Sequence, residues 1–352
     1  MNALDFLTKT TQEGASDLFI VAGRPLSYKK GGKITLIDEE RIMPAQSESL
    51  IREIYDLADH RDISRLLQSG DDDFSFAVGG LSRYRVSAYM QRGSLAAVIR
   101  TITFELPDPA ALGIPSSIVE LGSLKKGLVL VTGPAGSGKS TTLACIIDAI
   151  NQTQEKHIIT LEDPLEFLHR HKKSIVSQRE ISSDTDSYVV ALRASLRQSP
   201  DVILLGEMRD FETISIAVTA AETGHLVLST LHTPGAANTI DRIIDVFPPN
   251  QQHQISVQLA SVLQAVVSQQ LIPGADGNSM EVAFELMNTT PAIRNMIREN
   301  KIHQIDGLIY SSSSDTMFSM DSSLLALYKK GKITQAEALA HSSNPEMLKR
   351  KL

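Results

Sequence analysis

The stretch "GLVLVTGPAGSGKSTTLACIIDAINQ", residues 127–152, decides the fold. An apolar run short enough for a buried strand gives way at Gly133 to a segment with three glycines, a proline and a lysine, and then to apolar residues at helical spacing. The pattern G-x-x-x-x-G-K-[ST] occupies residues 133–140. Glycines let the main chain curl so that successive N–H groups point into one concavity, which together with the positive end of the following helix holds a polyphosphate. Gly133, Pro134, Ala135, Gly136, Ser137, Gly138, Lys139, Ser140 and Thr141 are therefore the candidate nucleotide-binding residues. Lys139 is placed to reach the outer phosphates, and the Ser140 hydroxyl to ligate Mg²⁺. A Gly-rich turn can also do no more than join a strand to a helix, but an apolar strand before it and an amphipathic helix after it favour the phosphate cradle.

Composition narrows the rest. A chain of 352 residues is long enough for two domains, each with its own core. Apolar residues at 42% and charged residues at 21% exclude disordered and fibrous classes. With 34 basic against 41 acidic side chains the net charge is −7, which argues against a protein that mainly grips nucleic acid. The single cysteine, Cys145, excludes an intramolecular disulfide and a zinc site of several thiolates. Asp5 interrupts the N-terminal segment where a secretory signal is apolar, and no run approaches the ~18 apolar residues of a membrane span. The expectation is a cytoplasmic protein that meets a membrane only through a partner.

The first hundred residues read as a small α+β module: a helix in "ALDFLTKTTQ", a strand in "DLFIVAG", a hairpin in "YKKGGKITLI", a helical region over 46–67, then β-rich "DFSFAV", "RYRVSAYMQ" and "LAAVIRTITF". "ELPDPAALGIP", residues 105–115, has three prolines and reads as a linker. The expected domains are 1–104 and 117–352, joined by 105–116. In the second, the runs "LVLVT", "HIITLED", "DVILLGE" and "HLVLSTLH" alternate with helical segments, the mark of a parallel sheet covered by helices. Ligands gather at the carboxyl ends of such strands.

Polar residues follow each run. "HIITLEDPLEF" sets Glu162, Asp163 and Glu166 past one strand, where a carboxylate can orient the water that attacks a γ-phosphate; the same residues also suit a solvated loop. "LRQSPDVILLGEMRD" ends its apolar run at Glu207, where a triphosphatase needs an acid for Mg²⁺, while Asp201 at the start of the run suits a local cap or pair. "GHLVLSTLHT" contributes His225 and His232, the latter beside a Pro-Gly turn, either a γ-phosphate contact or a satisfied core side chain. Arg83 and Arg85, two apart in "SRYRVSAYMQR", share one face of a strand and are either solubilising or lent to a neighbour's phosphate.

In this order the pieces resemble the secretion ATPases of type II secretion and type IV pilus systems, from "GASDLF" to "ITQAEAL", and within them the PilT-type retraction ATPases of twitching motility. "GPAGSGKSTT" is similar to their Walker A, "TLEDPLEF" to their Asp box, "LRQSPDVILLGEMRD" to their Walker B, "GHLVLSTLHT" to their His box, and "PAIRNMIRE" to their AIRNLIRE motif. The resemblance implies a RecA-like P-loop ATPase domain with a parallel-rich sheet, preceded by a smaller α+β, PAS-like domain. It also implies a homohexamer that binds ATP and Mg²⁺, and whose N-terminal modules rotate against the RecA-like domains on hydrolysis. Glu166 becomes the catalytic carboxylate, with Glu162 next in line, Glu207 the Mg²⁺ residue, His225 and His232 the His box, and Arg83, Arg85 and Arg209 cations near the nucleotide or a subunit boundary. The implied partners are an inner-membrane pilus platform protein, docking the ring at the cytoplasmic membrane, and the extension ATPase. Ala135 replaces a threonine common in this cradle, Met296 a leucine, and "MFSMDSSL" departs from the usual pattern. Rival readings are an extension or type II secretion ATPase, against which the lone cysteine counts, an ATP-binding regulatory ring, and a DNA motor, which the acidic balance disfavours.

Overall fold

The computed structural model describes residues 1–102, 106–277, 279–312 and 314–352. The chain divides into two compact units, Met1–Glu105 with Glu166–Leu168, and Leu106–Leu165 with His169–Leu352. The expected boundary between the first domain and the linker falls on 103–105, outside the described residues.

The first unit holds an antiparallel sheet of β1 (Asp17–Ile20), β2 (Pro25–Lys30), β3 (Lys33–Arg41), β4 (Asp71–Val78), β5 (Ser82–Gln91) and β6 (Ser94–Ile102), ordered β3-β2-β1-β6-β5-β4. Gly31 and Gly32, at φ 55° and 79°, form the two-residue turn that lets Lys30 pair with Lys33. The helices Ala3–Gln12 and Pro44–Leu57 bring Phe6, Leu7, Ile51 and Ile54 into one core with Leu18, Val86 and Ile99. The helical region expected over 46–67 is divided, because Asp59 and His60 take left-handed backbone before a second helix, Ser64–Ser69. On β5 the alternation is plain: Tyr84, Val86 and Ala88 are buried, while Arg83 and Arg85 lie half-buried on the opposite face.

The second unit is built on β7 (Gly127–Thr132), β8 (His157–Glu162), β9 (Ile175–Glu180), β10 (Val202–Leu205), β11 (Leu226–Leu231), β12 (Leu263–Pro273) and β13 (Met280–Asn288), ordered β13-β12-β7-β11-β10-β8-β9. Pairings are parallel except for β12 with β13. The continuous apolar reading of β7 has a direct cause. Leu128 and Leu130 pack on one face with residues of the helices Phe211–Glu222, Ala236–Asp245 and Pro249–Val262, while Val129 and Val131 pack on the other with Leu143, Ile146, Ile147 and Ile150 of helix Lys139–Thr153. Sequence patterning identified β7, β8, β10 and β11. It did not identify β9, an edge strand with polar positions, or the β12–β13 pair, where a helix ending at Val262 runs into a strand beginning at Leu263 with no turn residue between. Beyond β13 the chain is mainly helical, from Pro291–Arg298 to Pro345–Lys349. Among the described residues no helix is long and apolar enough to cross a membrane.

Candidate nucleotide site

Three carboxyl ends of parallel strands meet at the phosphate loop. β7 ends at Thr132, the loop follows, and helix Lys139–Thr153 begins behind Gly138, whose φ of 87° suits only a residue without a side chain. Pro134, Ala135 and Gly136 form the exposed tip, and Ser137 and Lys139 are buried. Lys139 is 7% exposed, and its Nζ donates to the carbonyls of Gly133 and Pro134, both at 2.9 Å. A buried ammonium needs such acceptors, and a phosphate oxygen can replace either.

Two further strand ends connect to this lysine. The segment after β10 is clamped to β11: Thr230 Oγ1 donates to the Gly206 carbonyl at 2.6 Å and the Met208 N–H to the Thr230 carbonyl at 3.2 Å. Glu207 is thereby held at the sheet's carboxyl edge, its side chain 17% exposed, and its Oε2 accepts from Arg209 Nε at 2.6 Å. His232, the residue after β11, stands between Glu207 and Lys139. Its Nε2 lies 3.3 Å from Glu207 Oε2 and its Nδ1 3.5 Å from Lys139 Nζ. An ammonium can only donate, so Nδ1 is the acceptor and Nε2 carries the proton given to Glu207. One imidazole thus links the phosphate-binding cation to the acid. The turn beyond it is fixed by the Gly235 N–H on Ser268 Oγ at 2.9 Å and the Ala236 N–H on Glu285 Oε1 at 3.0 Å.

Glu162 ends β8 at the same edge. Tyr188, which sequence reading passed over, stands among these acids: burial, then the charges of Glu207, Asp163 and Glu162, push its phenol above the ordinary range. A side chain at Gly206 would come within 2.8 Å of the Tyr188 hydroxyl, so that glycine makes room for it. Gln269 on β12 was also missed. It accepts from Thr142 Oγ1 at 2.8 Å and donates to the Ser137 carbonyl at 2.6 Å. Both are contacts across more than a hundred residues, and neither leaves a local signal.

His225 and Asp201 stand at the amino edge of the sheet. His225 precedes β11 while His232 follows it, and the Ala220 carbonyl holds the His225 Nδ1 at 2.9 Å. Parallel strands put those two positions at opposite edges of the sheet. Asp201 likewise lies at the amino edge, accepting from the His157 N–H at 2.9 Å and Lys156 Nζ at 3.2 Å, a pairing with the start of the neighbouring strand β8 and not a local one. Glu166, Arg83 and Arg85 belong to the first compact unit.

A cavity of about 300 Å³ opens beside the loop, bounded by Gly138 and Thr141 and by Leu112, Ile114, Leu271 and Val282. Its apolar walls suit the faces of a nucleobase. A larger cavity, about 680 Å³, has Glu285, Asp306 and Asp321 on its walls, and those carboxylates suit it poorly to a polyphosphate. For Mg²⁺ the donor set beside Lys139 fits: the Ser140 hydroxyl and the Glu207 carboxylate are hard oxygen ligands.

The profile of type II/IV secretion system proteins matches residues 6–310. The chain is 43% identical over 346 residues to the type IV pilus retraction ATPase PilT of Pseudomonas aeruginosa, covering 98% of this chain and 99% of that one. It is 38% identical to the type IV pilus ATPase PilU of the same organism, over 96% and 88% of the two chains. The crystal structure of the pilus retraction motor PilT with bound ADP superposes with a TM-score of 0.90 at 45% identity, covering 99% of each chain.

Proposed function

The chain belongs to the type II/IV secretion system protein family, and from that premise we infer that it is a retraction-type motor ATPase, which hydrolyses ATP to drive type IV pilus disassembly and twitching motility. The observation that carries the reading is the connected set Lys139, His232 and Glu207 at the mouth of a glycine-lined cradle, in a chain similar along its whole length to a retraction ATPase.

Within that activity we assign Lys139 and the N–H groups of residues 133–141 to the phosphates. Ser140 and Glu207 would hold Mg²⁺, which would supply neutralisation of phosphate charge. His232 trades its lysine contact for the γ-phosphate, and Arg209 pairs with Glu207. Glu166, or failing it Glu162, orients the attacking water. Arg83 and Arg85 are the cations lent across a subunit boundary in a homohexamer of domains 1–104 and 117–352. Docking on a membrane platform protein, and cooperation with an extension ATPase, complete the proposal.

The test uses the full-length protein. Glu166→Gln should bind ATP like the parent and release phosphate at least ~10²-fold more slowly, and cells carrying it in place of the parent gene should keep surface pili that do not shorten. Parent turnover by Glu166→Gln would move the role to Glu162. A parent protein that binds ATP yet never hydrolyses it with Mg²⁺ would make the chain a regulatory ring.

A further inference from the structure

We propose that Gln269 is a positioning residue for the phosphate loop: its side-chain amide sets the facing of the Ser137–Gly138 peptide and so presents the Gly138 N–H to the polyphosphate. The inference rests on the reading of residues 133–141 as the nucleotide cradle.

Register brings Gln269 there. β12 runs parallel to β7 with Ser268 opposite Thr132, so the next residue stands where the loop departs from the sheet. Gln269 is 1% exposed, and a buried amide is costly unless both its ends are bonded. Its Oε1 accepts from Thr142 Oγ1 at 2.8 Å on the helix behind the loop, and its Nε2 donates to the Ser137 carbonyl at 2.6 Å. The carbonyl accepts only, so the amide's orientation is fixed by its partners, with Thr142 holding the oxygen end in place.

In a trans peptide the C=O and the following N–H point in opposite directions. Fixing the Ser137 carbonyl toward β12 therefore turns the Gly138 N–H away from the sheet strand, toward the concave side where a phosphate sits. The glycines serve the same contact. A side chain at Gly133 would run into the Gln269 carbonyl oxygen, and one at Gly138 would come 3.3 Å from Gln269 Nε2. β12 is thus the wall against which the loop is pressed, and its side-chain amide is the tie. The loop's own ties are few among the described residues: the Ser137 N–H donates to the Pro134 carbonyl at 3.3 Å, and the Ser137 hydroxyl is buried without a hydrogen-bond partner. Lys139 bonds the Gly133 and Pro134 carbonyls, but it is the group that must turn to the phosphates. The Gln269 bond needs no such exchange and persists through binding.

The test measures the dissociation constant of a fluorescent ADP, KM and kcat for ATP, and the melting temperature without nucleotide, on three full-length variants. Gln269→Glu keeps the acceptor for Thr142 but sets an oxygen against the Ser137 carbonyl; Gln269→Leu keeps the bulk and removes both bonds; Thr142→Val releases the amide without touching Gln269. Expected are dissociation constants and KM raised ~10-fold or more for Gln269→Glu and ~3-fold for Thr142→Val, with kcat at saturating ATP within about threefold of the parent. A merely structural role would instead lower the melting temperature and the active fraction while leaving KM alone, and that result would overturn the proposal. Parent affinity in both Gln269→Leu and Thr142→Val would overturn it too. Lys139→Ala in the same assay separates the two readings: if it also binds ADP like the parent, the cradle itself is misassigned, and if it alone loses binding, only the role of Gln269 falls.

Discussion

The two edges of the parallel sheet carry the same kinds of side chain and use them differently. At the amino edge, Asp201 is closed by the His157 N–H and Lys156; His157 spends both ring nitrogens, on the Gln198 carbonyl and Ser177 Oγ, each at 2.9 Å; and His225 is held by Ala220. At the carboxyl edge, Glu207, His232 and Lys139 are bonded to one another, and the lysine to loop carbonyls that a ligand can replace. A histidine and an acid do not define a site by type. Strand polarity decides, because at the carboxyl edge the chain leaves the sheet into loops and a helix N-terminus faces outward.

The largest effect that probes this contrast is a pair of alanine substitutions. Lys139→Ala is expected to lower phosphate release ~10³-fold, since the ammonium meets the transferring phosphoryl group. Asp201→Ala is expected to leave kcat and KM of the folded protein within about twofold and to cost roughly 1–2 kcal/mol in chemical denaturation, the worth of its hydrogen bonds. Loss of turnover in a folded Asp201→Ala protein would erase the distinction between the edges.

A smaller and sharper contrast compares the histidines, six residues of strand apart. His232→Ala should slow ATP turnover by ~10-fold or more, because Glu207 and Lys139 lose the group between them. His225→Ala should change turnover less than twofold in the same phosphate-release assay. Equal losses would mean that His225 acts on the chemistry through a route outside this pocket.

Much of this was legible in the sequence, and for identifiable reasons. The cradle announces itself because glycine, lysine and hydroxyl residues must follow one another in the chain to wrap one phosphate group. β7, β8, β10 and β11 were legible because a strand covered on both faces is apolar throughout, as Leu128 to Val131 are. Glu207 and His232 could be singled out because each stands within two residues of the end of such a strand. His225 flanks the same strand as His232 at its other end, a difference that stays hidden until the direction of the sheet is known. Gln269 and Tyr188 were invisible: their roles are set by a register between β7 and β12 and by the glycine at 206, and neither has a local pattern. Arg83 and Arg85 were rightly put on one face by period two, but a shared face is all that an alternation can say.

Acid sharpens the contrast further, through a histidine that belongs to neither edge. His169 follows the Glu166–Leu168 segment; burial lowers its pKa from 6.5 to about 4, and its buried Nδ1 has no hydrogen-bond partner among the described residues. The unfolded chain therefore binds a proton at His169 that the folded chain refuses, so its contribution is full above pH 6.5 and drains as pH falls toward 4. By linkage the loss at pH 5 is ~2 kcal/mol. Asp201 behaves otherwise: burial alone would raise its pKa, but the hydrogen bonds from the His157 N–H and Lys156 outweigh that and lower it, so its share is lost only below the ordinary carboxylate range. Urea unfolding of the parent should therefore show stability falling between pH 6.5 and 5, before the amino edge is touched. His169→Gln should flatten that interval and leave the steeper fall at lower pH in place. If the variant keeps the parent's slope between pH 6.5 and 5, His169 is not the group that takes up the proton on unfolding.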